Sequence, residues 1–348
     1  MAIEIIGTGR ALPARKVSND ELAGEIDTSD EWIRSHTGIG SRYIADEGTV
    51  TSDLALEAAK NALAMAEGYC GGDVAERDRA AALGAKNIGL VVLGTCTPDF
   101  VGTPSTACIV QHRLGAENAG AMDIAAACTS FVYGLETAAG MLTVSRSFTR
   151  ALVIGAEVLS KVVDWSDRGT CVLFGDGAGA AVLEKTAAPV DGPERRGLVR
   201  TMLSADGSGS ESLLFRRGGV RNPFRPGEVV EKGTHIEMNG QEVYNFAVKA
   251  VTDTIGALMR DEGIGADDLA CIVPHQANAR IIQAAGRRLK IPVEKFFLNI
   301  EEYANTSAAS IPIALDEMNR GGGVKKGDMV MTVGFGGGLT YGGNIIIW

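Results

Sequence analysis

The sequence predicts an α/β protein of two similar halves packed face to face, and three observations carry that expectation. Strand-like apolar runs alternate with helical ones along the chain. The second half repeats the order of elements of the first. At 348 residues the chain is too long for one small core, so it forms two domains or one large two-part domain.

The elements follow in order. Residues 3–8 read as a strand. Ser18-Asn19-Asp20-Glu21 and Thr28-Ser29-Asp30-Glu31 read as capping boxes that open short helices, because a hydroxyl accepts from the third N–H while the glutamate reaches back. Residues 53–66 form an amphipathic helix. The Gly-, Ala- and charge-rich stretch 69–86 reads as a surface excursion. Strand 88–95, helix 105–114, strand 121–124, helix 130–144 and strands 151–156 and 178–184 complete the first half. The second has strand 198–204, helix 241–261, strand 269–273, helix 279–289, strand 295–298, helix 307–319 and strands 328–334 and 340–347. A boundary in the Pro-, Gly- and charge-rich segment 187–196 gives halves 1–187 and 197–348. The long irregular stretch 206–233 is of a kind that usually serves function.

Charge and composition exclude several classes. Lys plus Arg is 33 and Asp plus Glu 43, a net charge of −10. Such an acidic chain argues against a general nucleic-acid binder or a peripheral membrane protein. No charge-poor run reads as a membrane span, and residues 333–348, though apolar, are glycine-rich enough to read as strands and turns. The chain begins at once with a strand-like run and without a basic leader, so a cytoplasmic location is expected. The six cysteines, at 70, 96, 108, 128, 171 and 271, form no C-x-x-C pair and read as reduced thiols. The clusters Gly7-Thr8-Gly9, Gly175-Asp176-Gly177-Ala178-Gly179 and Gly334-Phe335-Gly336-Gly337-Gly338 only partly imitate a dinucleotide fingerprint, and each reads as a turn.

Three strand-to-helix junctions carry candidate chemistry. Cys128 follows Ala125-Ala126-Ala127 and opens a helix, where the positive helix terminus favours a thiolate. A core cysteine is the competing reading. His275, in Pro274-His275-Gln276-Ala277-Asn278, stands beyond a strand end, where open α/β sheets place their sites. A hydrogen-bonded core histidine is equally compatible. Asn305, in Asn305-Thr306-Ser307, offers a neutral amide donor or a plain helix cap. The glycines at 334–338 can bring backbone N–H groups close to a reacting oxygen.

Together these segments resemble the signatures of the 3-oxoacyl-[acyl-carrier-protein] synthase III family. The resemblance rests on Asp123-Ile124-Ala125-Ala126-Ala127-Cys128, Pro274–Asn278, Asn305-Thr306-Ser307-Ala308-Ala309-Ser310 and Gly334–Gly342, with Thr28–Ile33 and Asp167-Arg168-Gly169-Thr170. It spans nearly the whole chain in the family's order. It implies the thiolase fold, five layers αβαβα from two duplicated halves, and a homodimer. The implied reaction joins an acyl-CoA primer to malonyl-acyl carrier protein with loss of CO2, initiating fatty-acid synthesis without a metal or organic cofactor. A related enzyme of secondary metabolism with an unusual primer is the alternative.

Carried over by position, the resemblance makes Cys128 the acyl-accepting nucleophile and His275 and Asn305 the pair that promotes decarboxylation. It makes the N–H groups of Cys128 and Gly337 the oxyanion hole. Trp32 and Arg168 match the residues that sandwich the CoA adenine, and Asn278 and Arg280 match the pantetheine tunnel and its mouth. Thr103 and Phe335 fall at the acyl pocket. Arg280, Arg287 and Arg288 form the expected basic docking patch for the acidic carrier protein. Four positions depart from the family. His36 replaces an arginine near the CoA phosphates, with Arg34 as a candidate substitute. Asn245 replaces a docking lysine, and Ser130 a glycine after the nucleophile. Thr103 stands where acetyl-specific members carry a phenylalanine, so primers longer than acetyl are expected.

Overall fold

The computed structural model describes residues 1–230 and 233–348. The first half runs β1 (Ile3–Ala11), β2 (Arg15–Ser18), α1 (Asn19–Ala23), α2 (Asp30–Thr37), β3 (Ser41–Ile44), α3 (Thr51–Ala66), α4 (Val74–Ala85) and β4 (Ile88–Gly94). It continues with α5 (Thr106–Leu114), β5 (Gly120–Ile124), α6 (Ser130–Val144), β6 (Arg150–Glu157) and β7 (Gly177–Lys185). The second half runs β8 (Gly197–Ala205), β9 (Leu213–Phe215), β10 (Ile236–Met238), α7 (Gly240–Glu262), β11 (Cys271–Pro274) and α8 (Ala279–Leu289). It ends with α9 (Ile300–Tyr303), α10 (Ser310–Arg320), β12 (Met329–Gly336) and β13 (Thr340–Ile347).

The two main sheets share one plan. The first has strand order β1-β7-β6-β4-β5 and the second β8-β13-β12-β11. In each, the first three strands are antiparallel and the β4–β6 or β11–β12 pair is parallel. The helices fall into three layers. α3, α4 and α5 pack their alanine-rich faces on the outside of the first sheet. α6 and α10 lie between the sheets, with Phe131, Leu135, Ile311 and Leu315 in one shared core. α7 and α8 cover the second sheet from outside. This is the expected five-layered arrangement. β6 is buried along nearly its whole length because helices cover both faces, which explains its uninterrupted apolar run. Close approach also dictates composition: a Cβ on Gly9 of β1 would lie 2.3 Å from the Ala62 nitrogen of α3, so only glycine fits. Among the described residues no helix is long and apolar enough to cross a membrane.

Four local readings need correction. The surface excursion 69–86 contains α4, capped by Asp73, whose side chain accepts from Glu76 N–H. Its buried residues are only Ala81, Gly84 and Ala85, too small to produce an apolar stripe. The strand expected at 295–298 is a turn and a single bridge: Phe296 pairs in parallel with Ile272, and Val293–Lys295 is a 3-10 turn. That bridge lies beside β11 as β5 lies beside β4, and the Lys295 and Phe296 N–H groups turn back to the Pro292 and Val293 carbonyls, which keeps the pairing short. The second capping position belongs to Ser29, which accepts from Trp32 N–H at 3.1 Å, and not to Thr28. Finally, the irregular stretch 206–233 includes β9, which pairs with β10 as a hairpin. Residues 231 and 232 of that stretch lie outside the described residues.

Candidate active site

β5 is an edge strand whose chain leaves through Ala125 and Ala126 into a 3-10 turn, Ala127–Thr129, and then α6. Ala127 has a left-handed φ of 45°, unfavourable for a residue with a Cβ and sustained only where surrounding contacts impose it. Those contacts are specific. Ala126 N–H donates to the Ser130 hydroxyl at 3.0 Å, so the serine that departs from the family pattern closes the turn. The Thr340 hydroxyl donates to the Ala126 carbonyl at 3.0 Å and ties the turn to the β12–β13 hairpin. At the end of β12, a Cβ on Gly336 would stand 2.8 Å from the Cys128 nitrogen. The glycine run therefore does bring backbone against Cys128.

His275 follows β11, where its N–H donates to the Val333 carbonyl at 2.7 Å. Its Nδ1 lies 2.6 Å from the Ser310 hydroxyl, which accepts from Gln276 N–H at 3.4 Å. When the Ser310 hydroxyl donates to Nδ1, the ring hydrogen stands on Nε2. The ring meets Phe335 edge-on, centroids 5.0 Å apart. Burial drives the His275 pKa down to about 3, so the imidazole is neutral. Asn305 is buried, and its Oδ1 accepts from Ser307 N–H at 2.9 Å. Asn305 is not the helix cap, a position held by Thr306 without a side-chain cap bond; its oxygen closes a local turn and leaves the Nδ2 donor for other work.

Cys128, His275, Asn305, Phe335 and Asn278 line one cavity of about 240 Å³. Cys128 also lines a second, largely apolar chamber of about 230 Å³, with Gly337, Phe174 and the Leu213–Phe215 strand in its wall. The nucleophile candidate thus stands between a tunnel carrying two neutral donors and a greasy pocket. Open clefts elsewhere, such as that at Arg15, Asp46 and Lys161, hold none of the three residues. Among the described residues no three His, Cys, Asp or Glu side chains converge as metal ligands would.

The thiol departs from expectation. Burial pushes the Cys128 pKa up to about 12, with nearby Glu157 adding to the rise and the Ser307 hydroxyl opposing it. The Cys128 backbone N–H at the turn lowers it as well, by less than burial raises it.

At the tunnel mouth, the Arg168 guanidinium lies 4.9 Å from the Trp32 ring centroid, and His36 stacks on Trp32 with centroids 4.4 Å apart. Asn278 caps α8, accepting from Arg280 N–H at 2.8 Å, and its amide donates to the His36 carbonyl at 3.1 Å. Arg34 is not a free substitute for the missing arginine: it pairs with Asp30 and Glu301 at 2.8 and 2.6 Å. Arg280, Arg287 and Arg288 are exposed on α8, and Asn245 is exposed on α7. Thr103 is exposed and lines neither chamber within the chain, while Phe335 lines the tunnel rather than the apolar chamber. The sequence reading missed Cys96 and Ser307 in the chamber wall and Glu157 behind them. A glutamate ending the apolar run Ala151–Ala156 was the available signal.

Residues 122–207 match the 3-oxoacyl-[acyl-carrier-protein] synthase III family, and residues 259–348 match its C-terminal domain. The beta-ketoacyl-[acyl-carrier-protein] synthase III of Clostridium beijerinckii is 45% identical over 346 residues, covering 99% of both chains. The 3-oxoacyl-[acyl-carrier-protein] synthase III structure from Aquifex aeolicus superposes with a TM-score of 0.85 at 39% identity, covering all of both chains. The priming β-ketosynthase of the R1128 polyketide pathway superposes at 0.84 with 34% identity over 99% of this chain and 96% of that one. The fold and paired junctions define a condensing enzyme of the thiolase fold. The chain belongs to the 3-oxoacyl-[acyl-carrier-protein] synthase III family.

Proposed function

We propose that the chain condenses an acyl-CoA primer with malonyl-acyl carrier protein, releasing CO2 and giving 3-oxoacyl-acyl carrier protein, the initiating step of fatty-acid synthesis. The observation that carries this reading is the meeting of Cys128 with two neutral donors, His275 and Asn305, in one cavity. Cys128 takes the acyl group from CoA as a thioester. The Cys128 and Gly337 N–H groups stabilise the tetrahedral oxyanion. In the second half-reaction His275 Nε2–H and Asn305 Nδ2–H stabilise the enolate formed as CO2 leaves, and that carbanion attacks the acyl-cysteine. Neutral donors suit this step because they neither hold the malonyl carboxylate nor protonate the carbanion. No metal or organic cofactor enters the scheme.

Trp32 and Arg168 form the adenine site, Asn278 and Arg280 the pantetheine tunnel, and Arg280, Arg287 and Arg288 the docking patch for the carrier protein. The apolar chamber beyond Cys128 receives the acyl chain, and its size supports primers longer than acetyl, each buried methylene adding about 0.8 kcal/mol. Thr103 reaches that chamber from a second copy in a homodimer, which the exposed Phe100 and Val101 beside it and the open edge of β5 support. The functional halves are 1–187 and 197–348, in the cytoplasm. A polyketide-type priming role with an unusual primer is the second reading, favoured by the likeness to the R1128 enzyme. Competition among acetyl-, butyryl-, branched and octanoyl-CoA, followed by malonyl-acyl carrier protein consumption, tests both. Failure to consume malonyl-acyl carrier protein with any primer contradicts them.

A further inference from the structure

A base held between an indole and a guanidinium needs both groups at one spacing, and here they come from separate segments. Trp32 stands on α2 and Arg168 in the turn 167–171, their groups 4.9 Å apart. Neither segment belongs to a main sheet. The turn is folded by Asp167, whose carboxylate accepts from Gly169 N–H at 2.9 Å and from the Thr170 hydroxyl at 2.8 Å. Those bonds shape the turn but do not place it against α2. A buried link between the two segments does.

Arg42 of β3 is fully buried. Its Nη1 donates to Asn19 Oδ1 at 2.8 Å, and its Nη2 donates to the carbonyl of Val172, one residue past the turn, at 3.0 Å. Among the described residues its Nε has no partner and no carboxylate pairs with the guanidinium. Burial lowers its pKa to about 10, which leaves it a cation at neutral pH. A buried cation held only by neutral oxygens is costly, so stability alone does not account for it. Asn19 carries the link onward. It too is wholly buried, and its Nδ2 donates to Asp30 Oδ1 at 2.9 Å and to the Ile39 carbonyl at 2.8 Å. A guanidinium can only donate, so it fixes which way the amide faces. Asp30 opens α2, and Ile39 follows the left-handed cap of that helix, Gly38. One amide therefore grips α2 at its first residue and just past its last, with Trp32 between.

We propose that Arg42 and Asn19 are positioning residues that set the spacing of Trp32 and Arg168, and so make loading selective for thioesters that carry an adenine nucleotide. This rests on the adenine site of the function proposed above. Both residues are buried and act through the two segments they join, not by touching the substrate. The fork of the guanidinium suits the task, because its two Nη groups bind two acceptors in a fixed geometry that a lysine ammonium would not impose. The exposed tie between the segments, Arg168 Nη1 to the Asp27 carbonyl at 2.9 Å, then forms on a frame already held from within. The selectivity has a use. Two thioesters enter the same tunnel, and only the acyl-CoA carries adenine, so the clamp favours loading without adding to the hold on the carrier protein's pantetheine.

The test compares single-turnover loading from butyryl-CoA and from butyryl-pantetheine, which has the same thioester and no adenine nucleotide, each over a concentration series read by intact mass. The parent prefers butyryl-CoA. Asn19→Ala lowers that preference about tenfold, the scale of one stacked base, by raising the half-saturating concentration of butyryl-CoA while the saturated rate stays level. Its loading from butyryl-pantetheine is nearly unchanged. Asp30→Ala cuts the same link at a partly exposed position, lowers the preference in the same direction, and decides the matter if Asn19→Ala does not fold. Equal losses with the two thioesters, as general structural damage would give, or the parent's preference retained in the folded variants, overturn this inference. Trp32→Ala with the parent's preference overturns the adenine site itself. A parent that takes no acyl group at Cys128 overturns the proposed function as well.

Discussion

Ala127 and Ser307 hold matching left-handed corners, with φ of 45° and 47°, at the entrances to the two central helices α6 and α10. Each opens a 3-10 turn that is followed by a serine at the start of the helix proper. The duplicated halves meet at these corners. Gly336 of the second half packs on Cys128, and a Cβ on Gly155 of the first would come within 2.1 Å of the Ala308 carbonyl. The position that presents Cys128 in one half presents Ala308 in the other, so the pair of turns carries a single thiol.

Gly336→Ala is expected to damage loading more than folding. Its Cβ would sit 2.9 Å from the Cys128 Cβ and 2.8 Å from its nitrogen, so backbone has to move. Displacing a nucleophile by about 1 Å typically costs about 10²-fold in rate. Single-turnover loading should fall by about that factor while overpacking lowers stability by about 1–3 kcal/mol. Loading at the parent rate would separate Gly336 from the nucleophile's geometry.

Alkylation should not single out Cys128. With the thiol near 12 and buried, iodoacetamide at pH 7.5 should reach the exposed Cys70 and Cys108 first. Because the pKa is raised, the rate at Cys128 should rise with pH without a plateau below about 10. Peptide mapping over a pH series checks this, and a plateau near pH 7 would mean an activated resting thiolate.

His275→Ala and Asn305→Ala should still form acyl-enzyme and lose condensation by about 10²–10³-fold each, the usual effect of removing one transition-state donor. The histidine also carries an acid signature. Its pKa is depressed to about 3 from an ordinary 6.5, so the unfolded chain binds the extra proton first as pH falls. Stability contributed by neutral His275 is present above 6.5 and is lost progressively toward 3. The melting temperature of His275→Gln should therefore fall less steeply over that window than the parent's. Parallel acid profiles would contradict burial as the cause.

Much of this was legible in the chain. α8 and β13 lie where periodicity placed them, because Asn278 caps one and alternating pairs register the other. Cys128, His275 and Asn305 were each readable as junction residues, and the structure brings them into one cavity. What stayed hidden depends on contacts distant in sequence. Nothing local reveals that burial raises the Cys128 thiol, or that Glu157 reaches the turns bearing Cys96 and Ser307. α4 was missed because alanine and glycine bury without an apolar stripe, and 295–298 was misread because one bridge replaces a strand.

Carrier-protein docking should depend on α8. Arg280, Arg287 and Arg288 are exposed on a helix without an acidic residue, on a chain of net charge −10. Arg287→Glu should weaken use of malonyl-acyl carrier protein several-fold while leaving acyl-CoA loading nearly unchanged. Salt should weaken the parent's malonyl-acyl carrier protein use more than the variant's, since screening removes an attraction the variant lacks. Equal losses in both half-reactions would place docking elsewhere.

The account turns on acyl transfer to one sulfur between two cavities. Incubation with butyryl-CoA, quenching in acid and peptide mapping by mass tests this most directly. The account predicts a gain of one butyryl group on the peptide containing Cys128, discharged on adding malonyl-acyl carrier protein and absent in Cys128→Ser. A butyryl group on another cysteine, or condensation by Cys128→Ser at the parent rate, would contradict it.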